Sequence, residues 1–447
     1  MNRANRPRLS RITGSSYASR TMTRSGDGST LSLDFTTGVL DPRFTFTRNS
    51  TATFINASGN VATMAAAPTN DPTKARFTYD PATRTPLGLL FEGSAINIAR
   101  YSDNLETTGG FWGANLTTRN FDSADVNPTG GTGSMWFVPS SAGSSRFYGL
   151  FLSGQVTSTV YTYSVWLKGR GTSRCVISIQ SSAGAQNATM SIISQPLGAS
   201  ASVTQTGGGF SVVSNLSTTG WTKVQVVLAA NLGGTGTLNV YMYPNDTAGQ
   251  TTSDSVHAWG AQLETGSGAS SYIPTTGSQG TRVEDSCVMN DISSLQYSAT
   301  NGALFWRGVI NKQPTNYITL IGFMTAADQP TYESFGNALN YFSAARGASL
   351  ATGGANEVSR TYVLNQQIKY ASAVDTVTNP IIAANLNGSA ASTTKSGTGN
   401  LHVATRFVIG RVGSPAYAVA LPSCTIAQIK YWPVTKTAAE LNLLTTT

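Results

Sequence analysis

Apolar and polar residues alternate with a period of two along much of this chain, the spacing of half-buried β-strands. Tyr161, Tyr163, Val165 and Leu167 fall on one face of a segment whose other face carries Thr162, Ser164, Trp166 and Lys168. Thr222, Val224, Val226 and Leu228 repeat the pattern opposite Lys223 and Gln225. Val176 to Ile179 and Leu238 to Tyr243 are further strand-sized runs, and Val256 to Leu263 closes the series. Pro274 lacks a ladder donor and keeps Ile273 extended, so the chain leaves the sheet there. Gly-, Ser- and Thr-rich turns separate the runs, and the pattern predicts one β-sandwich over residues 105–285.

A second series occupies residues 288–447. Ala303 to Ile310 opens it, Pro380 to Gly388 ends in an Asn-Gly turn, and Arg406 to Gly410 and Ile426 to Trp432 follow. Thr437 and Glu440 stand at capping-box spacing and predict a short helix after Pro433. Residues 31–104 are less regular. Phe44 and Phe46 alternate with Thr45 and Thr47, Asn56 to Gly59 supplies a turn, and three Asp-Pro pairs punctuate loops. This block is expected to be a connector, and its fold does not follow from the pattern. The expected class is all-β: two consecutive β-sandwich (jelly-roll) domains after an N-terminal arm, residues 1–30, and the connector.

Composition agrees with this division. A chain of 447 residues exceeds one core and suggests about three domains. Charged residues make up 11%, against roughly 25% in ordinary soluble domains. With 45 glycines, the profile is that of turn-rich extracellular β structure rather than a metabolic enzyme. Cys175, Cys287 and Cys424 are far apart and form no CxxC or Cys/His cluster, so they read as small buried apolar residues.

The formal charge of +8 is concentrated at one end. Arg3, Arg6, Arg8, Arg11, Arg20 and Arg24 precede the first acidic residue, Asp27, and removing those six positive charges takes +8 to +2. The arm is expected to be unfolded until docked, anchoring the chain to an acidic protein neighbour or acting as a solvated tail. Arginine with almost no aromatic interleaving disfavours nucleic acid. No apolar run follows the early arginines as in a secretory signal, and none approaches the ~20 residues of a membrane span. Extracellular character without an export signal fits a particle assembled in the cytoplasm and released by lysis.

Motifs for nucleophilic, phosphate-binding, dinucleotide, zinc or EF-hand chemistry are missing from the sequence. No cofactor or metal is implied. His257 and His402 lie in different modules, and His257 reads as structural. Glycan hydrolysis needs two carboxyl groups across a cleft. Asp122, Asp125, Asp246 and Asp254 read as turn residues, Glu264 ends a strand, and Glu284 and Asp285 point oppositely in an extended link. Sugar binding needs only an aromatic surface with polar neighbours. Trp112, Trp136, Trp221 and Trp259 read as core or sheet-edge packing. Trp166 with Lys168, and Trp432 with Gln428 and Lys430, are the candidate carbohydrate contacts, since each Trp shares a polar strand face. Subunit contacts explain those two rings equally well.

Several segments resemble structural proteins of tailed bacteriophages, especially tail fibres and related virion appendages. GAQLE (260–264), SYIPTTG (271–277) and TR (281–282) form one such run. LDF (33–35), FTRNSTATF (46–54), RFTYDP (76–81), LGLLFEG (87–93) and NIARYS (97–102) follow the same order as in those proteins. The first sandwich resembles carbohydrate-binding-module jelly rolls. FVIG (407–410), IAQIKYWP (426–433) and TAAEL (437–441) resemble the end of laminin-G/concanavalin-like sandwiches, with Pro422-Ser423-Cys424 where a Gly is common. The closely spaced ExDxxE strand of laminarinase-type relatives does not occur.

The resemblance implies a tail fibre or spike in the virion, made in the host cytoplasm, that attaches to other virion proteins through its N-terminus, recognises host-surface glycan or protein, and forms a homotrimer. The missing catalytic motifs make a non-enzyme the expectation. A head fibre, capsid decoration or baseplate component with purely structural contacts is the alternative. A glycan-cleaving spike is the third.

Overall fold

The computed structural model describes residues 26–105, 111–115, 117–139, 146–151, 159–170, 174–181, 190–196, 202–206, 210–214, 216–228, 238–244, 255–312, 318–326, 330–336, 341–346, 357–375, 381–389, 403–411 and 423–447. The six arm arginines, Asp246, Asp254 and His402 lie outside them. The fold is all-β, with four large sheets arranged as two sandwiches.

One sandwich, here called the base, is assembled from both ends of the chain. Its first sheet runs in the order Ile381–Leu386, Gln367–Asp375, Asn301–Lys312, Ser423–Trp432, Pro86–Glu92, Arg76–Tyr79. Leu31–Asp34 also pairs with Ser423–Trp432, beyond the part taken by Pro86–Glu92. The second sheet runs Phe44–Thr47, Ser286–Met289, Arg406–Arg411, Ile318–Met324, Pro330–Gly336, Tyr341–Arg346, Glu357–Thr361. Phe44, Phe46, Phe91, Trp306, Phe407 and Tyr431 belong to the core between the two sheets. Each large apolar side chain buried there contributes about 1.5–3 kcal/mol.

Residues 31–92 are therefore not a separate connector. They supply strands to both base sheets, and the base does not begin at residue 288. The reason is non-local: Phe44 and Phe46, like Leu89 and Phe91, need a covering sheet. Their strands hydrogen-bond to Ser286–Met289 and Ser423–Trp432 within the two base sheets, and the opposite sheet covers their side chains across the core.

The other sandwich is an insertion between these halves. Its sheets run Met190–Pro196, Thr222–Leu228, Tyr161–Arg170, Ser255–Thr265, Thr132–Pro139, Thr117–Val126, and Ser202–Thr206, Phe210–Ser214, Arg174–Ser181, Leu238–Tyr243, Arg146–Phe151, Trp112–Asn115. Tyr163, Val165, Leu167, Ile177, Val224 and Val240 lie in its core. The chain enters and leaves through one two-stranded ribbon, in which Ala95 faces Arg282 and Asn97 faces Gly280. Asp122 and Asp125, expected in turns, lie instead on the edge strand Thr117–Val126.

Ala438–Thr446 forms the one α-helix among the described residues, with the predicted capping box. The Thr437 hydroxyl accepts from Glu440 N at 3.3 Å, and the Glu440 carboxylate accepts from Thr437 N at 2.8 Å. Leu441 of this helix packs with Phe305, Ala371, Ala373 and Trp432 on the outer face of the first base sheet. The three cysteines are free and buried.

Candidate functional site

Two polar assemblies stand out, and they differ in whether water reaches them. The first is the joint between the sandwiches. Arg76 pairs with Glu92 at 2.6 Å and with Asp285 at 2.7 Å, and Arg48 pairs with Asp285 at 3.0 Å. Arg282 reaches Glu92 at 3.2 Å. Ser271 donates to Glu92 through its amide (2.7 Å) and hydroxyl (2.6 Å), and Ser423 adds a third donor. Arg48 also donates to the Ser50 and Ala65 carbonyls, and Arg76 to Thr53 O. The side chains of Arg48, Arg76, Glu92 and Asp285 are fully buried.

Burial raises the pKa of Glu92, but the Arg282 and Arg76 guanidinium groups and the Ser271 donors outweigh it and hold the carboxyl well below the usual range. A neighbouring network continues the theme. Glu264 accepts from Ser270 and Gln262 and faces Lys312 at 3.5 Å, while Lys223 donates to Ser270 O at 2.9 Å. Burial lowers the Lys223 pKa despite the nearby Glu264. Apart from Arg76 Nε and Arg282 Nε, the charged groups of the joint bond to one another or to nearby Ser, Gln and backbone groups, so the joint can hold geometry.

The joint gathers segments that are far apart in the sequence. Arg48 comes from FTRNSTATF, Arg76 from RFTYDP, Glu92 from LGLLFEG, Gln262 and Glu264 from GAQLE, Ser271 from SYIPTTG, and Arg282 from TR. Their charged and hydroxyl side chains meet in this one water-excluded network.

The second assembly lies on the outer face of the inserted sheet that contains Ser255–Thr265. Cross-strand registers place side chains in rows: Asn120, Trp136, His257 and Lys168 in one, Asp122 and Ser134 then Trp259, Trp166 and Lys223 in the next. The inner end of this face is covered by the base. Val61 of the hairpin Ala52–Ile55/Val61–Met64 packs with Tyr272, Trp166, Trp221 and Trp259. Gly260, at φ +67°, forms the bulge that makes room, because a Cβ there would lie 2.7 Å from Trp166 Cδ1.

Toward the outer end, Lys168 donates to Asp125 and lies 5.0 Å over the Trp221 ring. Ser134 Oγ lies 2.5 Å from Asp125 Oδ2 and 2.8 Å from His257 Nδ1. Burial first, then Lys168 and Arg170, push the His257 pKa down to about 4 against the pull of Asp125. Burial would raise Asp125, but donors from Lys168 and Ser134 and the nearby His257 keep it below its ordinary value. Ser, His and Asp are together here without forming a relay. Ser134 and Asp125 both address Nδ1, whereas a triad needs acid and nucleophile on opposite ring nitrogens.

At the open edge Arg170 drapes over Trp136, with its guanidinium carbon 4.0 Å from the ring centroid. It approaches Asp122 at 3.6 Å, with side chains 47% and 28% exposed. No group of three or more His, Cys, Asp or Glu suited to a metal is found among the described residues.

No protein-family model matches the chain, and no curated protein sequence matches it. Solved structures give weak likenesses to sialidases and carbohydrate-binding β-sandwich domains. Trypanosoma rangeli sialidase is 13% identical at TM-score 0.27, over 36% of this chain and 26% of that one. The Ruminococcus gnavus IT-sialidase CBM40, bound to α2,3-sialyllactose, is 11% identical at TM-score 0.28, over 35% of this chain and 86% of that one. A botulinum neurotoxin type C structure is 10% identical at TM-score 0.28, over 36% of this chain and 40% of that one. The chain thus spans about a quarter of the sialidase's length.

Of the residues expected to bind sugar, Trp166 and Lys168 lie on this face, and Trp432, Gln428 and Lys430 lie on the base. Trp166 is 4% exposed under the base hairpin and Trp432 1% exposed beneath the helix, so neither offers an open ring face. Trp432 Nε1 donates to Asp27 O, Lys430 pairs with Asp27 at 2.7 Å, and Gln428 sits opposite Asp34 and Arg307 in the sheet. A polar strand face proved to be an interior contact in both places. Lys168 remains in the outer assembly, buried beside Asp125. Trp136, which reads as core or sheet-edge packing, is half-buried beside Arg170. Its alternation with inward Met135 and Phe137 was the available signal.

Proposed function

We propose that this chain is a structural protein of a tailed-bacteriophage virion, a tail fibre or spike whose inserted sandwich recognises host-surface glycan. The observation that carries the reading is the convergence on one joint. Segments that resemble virion proteins build a rigid socket, and the socket presents a sandwich with a Trp136–Arg170–Asp122 edge open to solvent. The basic arm precedes Asp27, which packs on Lys430 and Trp432 at the outer face of the base. In this reading the arm anchors to other virion proteins, the protein is made in the host cytoplasm, and several copies, a homotrimer by fibre likeness, compensate for weak single sites.

One observation favours a second reading. The rings of Trp166 and Trp432 are spent on internal contacts, as suits a head-fibre, decoration or baseplate component with protein contacts alone.

Binding of the full chain to immobilised glycans separates the two. A fragment starting at residue 105 would lack the base strands at 31–92, so the whole chain is required. Specific glycan signal is expected. A blank array, with labelled protein still located on purified particles, would favour the architectural role, and absence from particles would overturn both.

A further inference from the structure

We infer that Arg170 and Asp122 form the sugar-contacting pair of the inserted sandwich, and that they take a neutral pyranose through two adjacent hydroxyls rather than a carboxylated sugar. This rests on the glycan-recognition reading above.

The contrast with the joint is the starting point. There, guanidinium and carboxylate close to 2.6–3.0 Å with side chains shut off from water. Here the gap is 3.6 Å and both groups remain partly exposed. At that separation neither group uses its full hydrogen-bonding capacity, which is five N–H donors for Arg and about four lone-pair sites for Asp. The Trp136 ring beneath Arg170 holds the guanidinium plane, so its donor directions are set before a ligand arrives. Trp221 and Lys168 form the same kind of pair one step inward, backed by Asp125, Ser134 and His257. That layer is buried and fixes the floor.

Adjacent hydroxyls on a pyranose match this pair. One hydroxyl hydrogen donates to Asp122 while a neighbouring hydroxyl oxygen accepts from Arg170. Asn120 stands beside Trp136 on the same face and adds amide capacity at the edge.

Charge selects against acidic sugars. Arg170 and Asp122 cancel, Lys168 and Asp125 cancel behind them, and His257, with its pKa near 4, is neutral at pH 7. A sugar carboxylate drawn to Arg170 would sit beside the Asp122 carboxylate and be repelled by it.

The test uses the full chain and matched glycans ending either in neutral hexoses or in sialic acid. Neutral glycans are expected to bind. Arg170→Ala and Asp122→Asn should each weaken that binding about tenfold, the scale of one hydrogen bond to a charged group. Asp122→Asn should also narrow the gap to the sialylated set, and both variants should keep the parent melting temperature. Sialylated glycans preferred by the parent, or neutral binding untouched in both variants, would overturn this assignment while leaving glycan recognition standing. No binding to either set would remove both.

Discussion

Arg76 and Asp285 lie 209 positions apart in sequence and meet at 2.7 Å in the fully buried joint. Asp285 also accepts from the Glu92 amide and from Arg48, so one carboxylate ties together both crossings of the chain between base and insertion. Such pairs add little net stability over an apolar substitute, but they leave a costly orphan charge when one partner is lost.

Asp285→Ala should therefore destabilise the protein by about 3–5 kcal/mol. Calorimetry of the full chain reads this directly. A loss below about 1 kcal/mol, the ordinary worth of an exposed pair, would contradict a water-excluded joint.

Acid should weaken the protein in two stages. His257 titrates near 4 in the fold against 6.5 unfolded, so the folded state binds fewer protons between those values. Stability therefore rises with pH across that window and is lost as pH falls through it. Glu92 is a depressed acid; its contribution is present above the ordinary carboxylate value and disappears only at lower pH. Urea midpoints at several pH values check this. His257→Asn should flatten the upper stage, and an unchanged slope in that variant would rule out His257 as its source.

Trp432→Ala should cost about 3–5 kcal/mol, because the ring fills the space between the sheet and the helix. Glycan affinity should not change. Lost affinity at preserved stability would restore the ring as a binding platform.

Removing residues 1–25 should leave the circular dichroism spectrum and melting temperature intact while preventing incorporation into particles. Cutting through residue 30 should additionally lower stability. Asp27 holds Lys430 and Trp432, and Thr30 bonds to Tyr431 O and Leu295 O. Immunoblots of purified particles measure incorporation, and full occupancy without the arm would refute its anchoring role.

Local signals were read well. Tyr161, Tyr163, Val165 and Leu167 join Val224, Val226 and Leu228 in the sandwich core as alternation predicts, and the Thr437–Glu440 cap is formed. Trp166 marks where that reading stops. Its strand is buried on both faces, and a polar row against a partner looks the same in sequence as a polar row against water. The open pair fared no better, since Arg170 meets Trp136 and Asp122 only through the ordering of four strands.

By itself the sequence determined that this protein is built of alternating strands in layered sheets, with a basic leader and a capped helix. Periodicity, turn chemistry and capping are properties of a few neighbouring residues, so they survive without knowledge of the rest. Only the tertiary structure decided that residues 31–92 complete the base, that the second sandwich is inserted within it, and that Arg170 rather than Trp166 faces solvent. Those outcomes depend on which distant strand covers a given face, and one segment's pattern cannot name its partner.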